Sequence, residues 1–183
     1  MNSPRSALEL VSAPVPDDAV EVLDPAAVFR RYSSYVAAVA QRLLGRDSEV
    51  DDAVQEVFIA TLRGIRQLRD PGAVKGWLAK VTVRVATRRL RARRLYGWLH
   101  LDSAPQDVLP IDRSASPEQR VLLASLYRAL DELPAGQRVA WTLRHVEGER
   151  LDSVATLCGC SLATAKRRIA AAERYLEEVL ADV

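Results

Sequence analysis

Residues 151–169 read LDSVATLCGCSLATAKRRI, and the pattern within them decides the architecture of the chain. Ala155 is small where two helices would cross, Gly159 suits a tight turn, and Ser161 is a natural N-cap for a second helix. Thr164, Lys166, Arg167 and Arg168 fall in the first two turns of that second helix. There, side chains of a helix-turn-helix reach the base edges and phosphates of duplex DNA. Many helix pairs share such an Ala and Gly. The three cations are the more specific signal, because the segment around them, 117–183, has a net charge of −1. Cys158 and Cys160 take apolar positions of the turn and read as buried thiols. They are too close together for an ordinary structural disulfide and too few for a secreted framework.

Moving toward the N-terminus, Ser116-Pro117-Glu118-Gln119 carries an N-cap, a proline at the first helical position and a glutamine that closes a capping box. Leu122, Leu126, Leu130 and Leu133 follow at helical spacing. Residues 95–116 interrupt the pattern with Gly97, Pro105, Pro110 and scattered acids, and read as a flexible linker, although Leu95, Tyr96, Trp98 and Leu99 can dock on a neighbour. Before it, three helices are predicted. One runs from Asp24, with Pro25 at its first position, to a stop at Gly45, with Val28, Tyr32, Tyr35, Val36, Val39 and Leu43 recurring at helical spacing. A second is capped by Ser48 with Asp51 and buries Val50, Val54, Val57, Phe58, Thr61, Ile65 and Leu68. A third, over 73–94, follows the turn Asp70-Pro71-Gly72, with Val74, Leu78, Val81 and Val85 on one stripe. Residues 1–23, rich in proline and acid, read as a tail. The fold class is therefore all-α: an N-terminal helix bundle over 24–94 and a C-terminal helix-turn-helix domain over 117–183.

The formal net charge of +2 is unevenly spread, with −3 over 1–23, +8 over 24–94 and −2 over 95–116. Such concentration points to a polyanionic partner, and nucleic acid fits better than membrane because no basic amphipathic helix carries a bulky apolar face. The third helix explains the excess. From residue 71 to 94 it has eight basic residues, among them Lys75, Lys80, Arg84, Arg88 and Arg91, and no acid. Lys80, Arg84, Arg88 and Arg91 fall within about one quadrant of the helix, with Trp77 at its border. The alternative is an ordinary solvated face, which the missing acids disfavour. The second helix has the opposite sign, and Asp52, Gln55, Glu56 and Ile59 share the face away from its buried stripe, a mixed patch suited to a protein partner. No histidine accompanies these acids, so a metal site is disfavoured. No nucleophile, base and orienter set or phosphate-cradling glycine loop is present, and no cofactor is expected. No apolar run approaches ~20 residues, and the N-terminus is a poor signal peptide, so membrane insertion is not expected and the cytoplasm is the expected location.

The order of these parts resembles one family. Asp52-Ala-Val-Gln-Glu-Val-Phe58, Trp77-Leu78 opening a basic helix, Leu133-Pro134, Val146-Glu-Gly148 and Thr164-Ala-Lys-Arg-Arg168 look like the two domains of extracytoplasmic-function sigma factors, over about 25–94 and 117–180. The resemblance implies that Asp52, Gln55, Glu56 and Ile59 hold the β′ clamp region of RNA polymerase core. It implies that the third helix and its preceding loop, through Lys75, Trp77, Lys80, Arg84, Arg88 and Arg91, grip and open the minus-ten promoter element. Ser161, Thr164, Lys166, Arg167 and Arg168 would read the minus-thirty-five element. Factors of this kind are often held by an anti-sigma protein. Arg84 and Arg88 stand where Asn and Asp are usual, Val74 where an aromatic is common, and Ala171 and Glu173 where bases are usual. The alternative is a polymerase-independent helix-turn-helix regulator that dimerises through the front bundle. Because Ala171 and Glu173 weaken phosphate anchoring, the isolated 117–183 fragment is expected to bind promoter DNA more weakly than the full chain, as a binding titration would show.

Overall fold

Asp24 caps the first described helix as the sequence predicts. In a computed structural model, which describes residues 24–65, 68, 70–98 and 116–181, its carboxylate accepts from the N–H groups of Ala26 and Ala27 at 3.1 and 3.0 Å. The tail over 1–23 and linker residues 99–115, with His100 and Leu99, lie outside the described residues. Helix α1, Pro25–Leu44, ends where Gly45 adopts φ 68° and donates its N–H to Gln41 O. Helix α2, Val50–Gly64, follows a 3-10 turn at Asp47–Glu49. The Ser48 capping box does not form, because Glu49 in the cap position is already helical at φ −96°, ψ −11°. A side-chain cap needs an extended residue there.

Helix α3, Val74–Trp98, starts beyond Asp70, whose carboxylate accepts from Gly72 N–H at 2.8 Å. It runs four residues past the expected end at Arg94. Leu95 and Tyr96 are adequate helix formers, and one glycine weakens a helix by about 1 kcal/mol without ending it. Val74, Leu78, Val81 and Val85 are buried as expected, but so are Ala79, Thr82, Val83, Ala86 and Leu90. The helix is covered on more than one side, by α1 and α2 and also by helices of the C-terminal half.

That half comprises α4 (Pro117–Glu132), α5 (Ala135–His145), α6 (Leu151–Cys158) and α7 (Leu162–Leu180). The box of Ser116 with Gln119 is complete in both directions. Leu130 and Leu133 are buried, whereas Leu122, predicted to point inward, is 56% exposed. Gly159 turns with φ 61°, and the Ser161 hydroxyl accepts from Thr164 N–H at 3.2 Å. No described helix is long and apolar enough to cross a membrane.

The two halves are packed on each other. One hydrophobic cluster continues from Val36, Leu43 and Leu78 into Val139, Leu143, Val154 and Ile169. At its edge Arg138, 1% exposed, projects from α5 into the C-terminal end of α1. It donates to Leu43 O at 2.9 Å and Leu44 O at 2.8 Å, and pairs with Asp131. Arg93 of α3 completes the cluster, reaching Leu44 O at 3.3 Å, Asp131 at 2.9 Å and Glu49 at 2.7 Å. Nearby, Arg42 and Glu147 form a two-pronged ion pair between the halves. Bonding to Glu147 raises the Arg42 pKa. Burial lowers that of Arg138 while Asp131 opposes the change. Gly45 is needed twice, for its positive φ and because a Cβ would lie 2.5 Å from the Tyr127 ring and 2.9 Å from the Arg138 guanidinium.

Replacing Arg138 by Met strips the Leu43 carbonyl of its partner where water has no access. A loss of about 3 kcal/mol in unfolding free energy is expected, measured by urea denaturation.

Candidate nucleic-acid and protein interfaces

Helix α3 displays the predicted row of cations. Lys80, Arg84, Arg88 and Arg91 are all exposed on it. The row is less free than the sequence implies, because Glu56 of α2 turns toward it, ion-pairing with Arg88 and lying 3.3 Å from Arg89. Two residues assigned to different partners are thus paired with each other. Glu56, expected on the protein-binding face of α2, also pairs with α3 while staying partly exposed. Its neighbour Gln55 stays exposed because the 100° step between them turns it away from α3.

Trp77 is half-buried, its ring lying against Gly64, where a Cβ would come within 2.7 Å of Cζ2. Lys75 sits over the Tyr35 ring, Nζ 4.9 Å from the centroid. Burial, reinforced by Glu147 and Glu149, pushes the Tyr35 phenol up to about 12, so the ring is neutral beneath that ammonium. Trp77 and Arg84 share a cavity of about 530 Å³ with Ala60, Arg63, Gly64 and Leu68. Arg63 was missed in the sequence because it lies on α2, outside the basic helix, and only packing brings it alongside Arg84.

On α2, Asp52, Gln55 and Ile59 are exposed on one face, and Leu62 continues it at the same spacing with 58% exposure. Phe29 of α1, 47% exposed, packs edge-on against Phe58 with centroids 4.7 Å apart. Phe29 and Leu62 extend the apolar content of this surface beyond Ile59. The spacing 52, 55, 59, 62 was readable for Leu62, whereas Phe29 depends on how α1 crosses α2.

In the helix-turn-helix, Lys166 and Arg167 are exposed and Thr164 is half-buried. Ser161 is engaged as the cap and lies 2.9 Å from the Thr164 hydroxyl. Arg168 lies over the first turn of α5, its Cζ 3.2 Å from where a Gly136 Cβ would be. His145 stacks on Trp141 and lies 2.9 Å from Glu173. Glu173, one of the departures from the expected pattern, therefore has a local partner. Cys158 and Cys160 are half-buried free thiols packed against the core, less enclosed than predicted. Among the described residues no group of three or more His, Cys, Asp or Glu could hold a metal ion.

Comparison with known proteins accounts for this arrangement. Residues 28–96 match Sigma-70 region 2 and residues 123–176 match Sigma-70, region 4. The ECF RNA polymerase sigma factor SigM of Mycobacterium tuberculosis is 33% identical over 178 residues, covering 96% of this chain and 85% of the relative. The chain belongs to the extracytoplasmic-function sigma factors. The ECF RNA polymerase sigma factor SigE of Mycolicibacterium smegmatis is 30% identical over 158 residues, and the match spans 60% of its length. In fold, this sigma factor is similar to the sigma factor RpoE from Bartonella quintana, solved with the anti-sigma factor NepR (TM-score 0.62, 22% identity, 85% of this chain and 95% of that one). It is also similar to CnrH in complex with the cytosolic domain of CnrY (TM-score 0.56, 21% identity, 86% and 88%). Within this sigma factor Val74, replacing a common aromatic, is 2% exposed and serves the core.

The turn of the helix-turn-helix offers a chemical test. Burial first, then neighbouring Cys160, raises the Cys158 thiol to about 11, against the pull of Arg168. In a Cys160→Ser background, where burial still raises the thiol but the Cys160 contribution is gone, alkylation of Cys158 is expected to be slow at pH 8 and to rise about tenfold per pH unit before levelling off below 11, followed by mass spectrometry.

Proposed function

We propose that the α2 face of Asp52, Gln55 and Ile59, extended by Leu62 and Phe29, docks on the β′ clamp region of RNA polymerase core, while α3 and its preceding loop engage and open the minus-ten element. The observation that carries this reading is the placement of the two surfaces on one three-helix body: a carboxylate and aliphatic face on α2, and a row of exposed cations on α3. Protein interfaces combine apolar anchors with polar surroundings. Opened DNA needs cations along its phosphates and flat surfaces for unstacked bases. Lys80, Arg84 and Arg91 supply the charge, Trp77 the aromatic surface, and the cavity it shares with Arg63 and Arg84 the room. Glu56 acts from within, holding Arg88 and Arg89 against α2. Lys166, Arg167, Arg168 and Thr164 read the minus-thirty-five element, with Ser161 positioning them as the cap. No covalent chemistry is required of the chain, and the cytoplasm, where polymerase works, is its place of action. One solved neighbour is a complex with an anti-sigma factor and the other a complex with the cytosolic domain of a second protein, which supports an anti-sigma protein here as well.

The two promoter elements are about 25 base pairs apart, roughly 85 Å at 3.4 Å per pair. The packed arrangement, with Arg91 and Arg168 on one cavity, cannot span that distance, so the halves separate on the promoter. Both family matches are to sigma-70 regions, and no observation favours the polymerase-independent regulator.

Run-off transcription with core polymerase and a promoter pool tests the assignment. Asp52→Arg is expected to abolish co-purification with core, and Lys80→Ala with Arg84→Ala to lower open-complex formation about tenfold with core binding intact. A chain that neither associates with core nor redirects its initiation would falsify the reading.

A further inference from the structure

Between the C-terminal end of α3 and the α5–α7 pair lies a cavity of about 570 Å³. Arg91 and Arg94 line it from α3 and Arg168 from α7, and no carboxylate is among its lining residues. The other arginines that cross between the halves are compensated: Arg42 by Glu147, Arg138 by Asp131, and Arg93 by Glu49 and Asp131. The three around the cavity have no ion-pair partner among the described residues. Like charges gathered on one concave surface repel, and an anion between them removes that repulsion.

The arrangement is built as well as charged. The Arg168 guanidinium is laid across the start of α5 because residue 136 is glycine: a Cβ there would lie 3.2 Å from its Cζ and Nε. Its position is therefore set by backbone on one side. The cap residue of α5 is Pro134, which offers no side-chain acceptor, so the positive end of the helix opens on the same space. Guanidinium forks match phosphate oxygens in pairs. A volume of this size is within the range of small-molecule sites and exceeds what one phosphate needs.

We propose that this cavity binds an oligophosphate, as the free inorganic chain or as the tail of a nucleotide, held by Arg91, Arg94 and Arg168 across the two halves. Such a ligand holds the packed state together. Because Arg91 and Arg168 are also assigned to DNA, it competes with promoter binding; this second consequence rests on the function proposed above.

The test titrates the full-length protein with sodium tripolyphosphate and, separately, with GTP, by calorimetry. One saturable site per chain is expected for at least one of them, and which binds more tightly identifies the source. Arg94→Gln, an exposed position, is expected to weaken binding at least tenfold with an unchanged unfolding transition. Arg174→Gln, the same charge change on α7 away from the cavity lining, should leave it intact. Absence of saturation, or equal weakening by both variants, overturns the site. With a labelled promoter duplex, oligophosphate is expected to displace the wild-type protein. Binding without displacement overturns the competition while the site stands, and a duplex that never binds counts against the sigma-factor reading instead.

Discussion

The last turn of an α-helix leaves carbonyl oxygens without partners, and in α1 two of them, on Leu43 and Leu44, end up where water cannot reach. Arg138 and Arg93 satisfy them from outside the helix, one from the C-terminal half and one from α3. Cations are also favoured at this end of a helix by its dipole. Much of the molecule follows from that requirement. Asp131 is drawn in to balance the guanidinium groups, with Arg46 at 3.9 Å as a third neighbour. Gly45 has to be glycine so that Tyr127 and Arg138 can approach, and α5 is fixed against α1 and α3.

This contact between halves is part apolar core and part charged cluster, a mixture with consequences. An interface of aliphatic side chains alone would favour the packed state at any ionic strength. One that depends on arginine–carboxylate pairs is sensitive to competing anions and cations, since its partners can be rehydrated or re-paired once exposed. Nucleic acid is such an anion, and the exposed cations of α3 lie on the same helix as Arg93 of the cluster.

Local signals were read well where the cause was local. Asp24, Pro25 and Gly45 bracket α1, and Ser116 with Gln119 starts α4, because caps depend only on residues within one turn. Ser48 failed as a cap because the chain enters α2 through a 3-10 turn. Of the site, the α3 cations and the Asp52, Gln55 and Ile59 face were legible as helical spacing. The pairing of Glu56 with Arg88 was not legible, since it depends on the crossing of α2 and α3. Phe29 and Arg63 went unseen for the same reason, and His145 gained Trp141 and Glu173 only when α5 met α7.

Periodicity, caps and turn residues by themselves determined that the chain is a series of amphipathic helices in two groups, with opposite charges on α2 and α3 and a capped basic helix near the end. Tertiary structure decided which charges remain available. A cation's freedom depends on whether a carboxylate from a distant part of the chain lies within about 4 Å, and no spacing rule along one helix contains that distance. Arg138, an unremarkable helix residue in sequence, became the buried tie between the halves, while Arg91, Arg94 and Arg168, distant in sequence, came to face a single unfilled space.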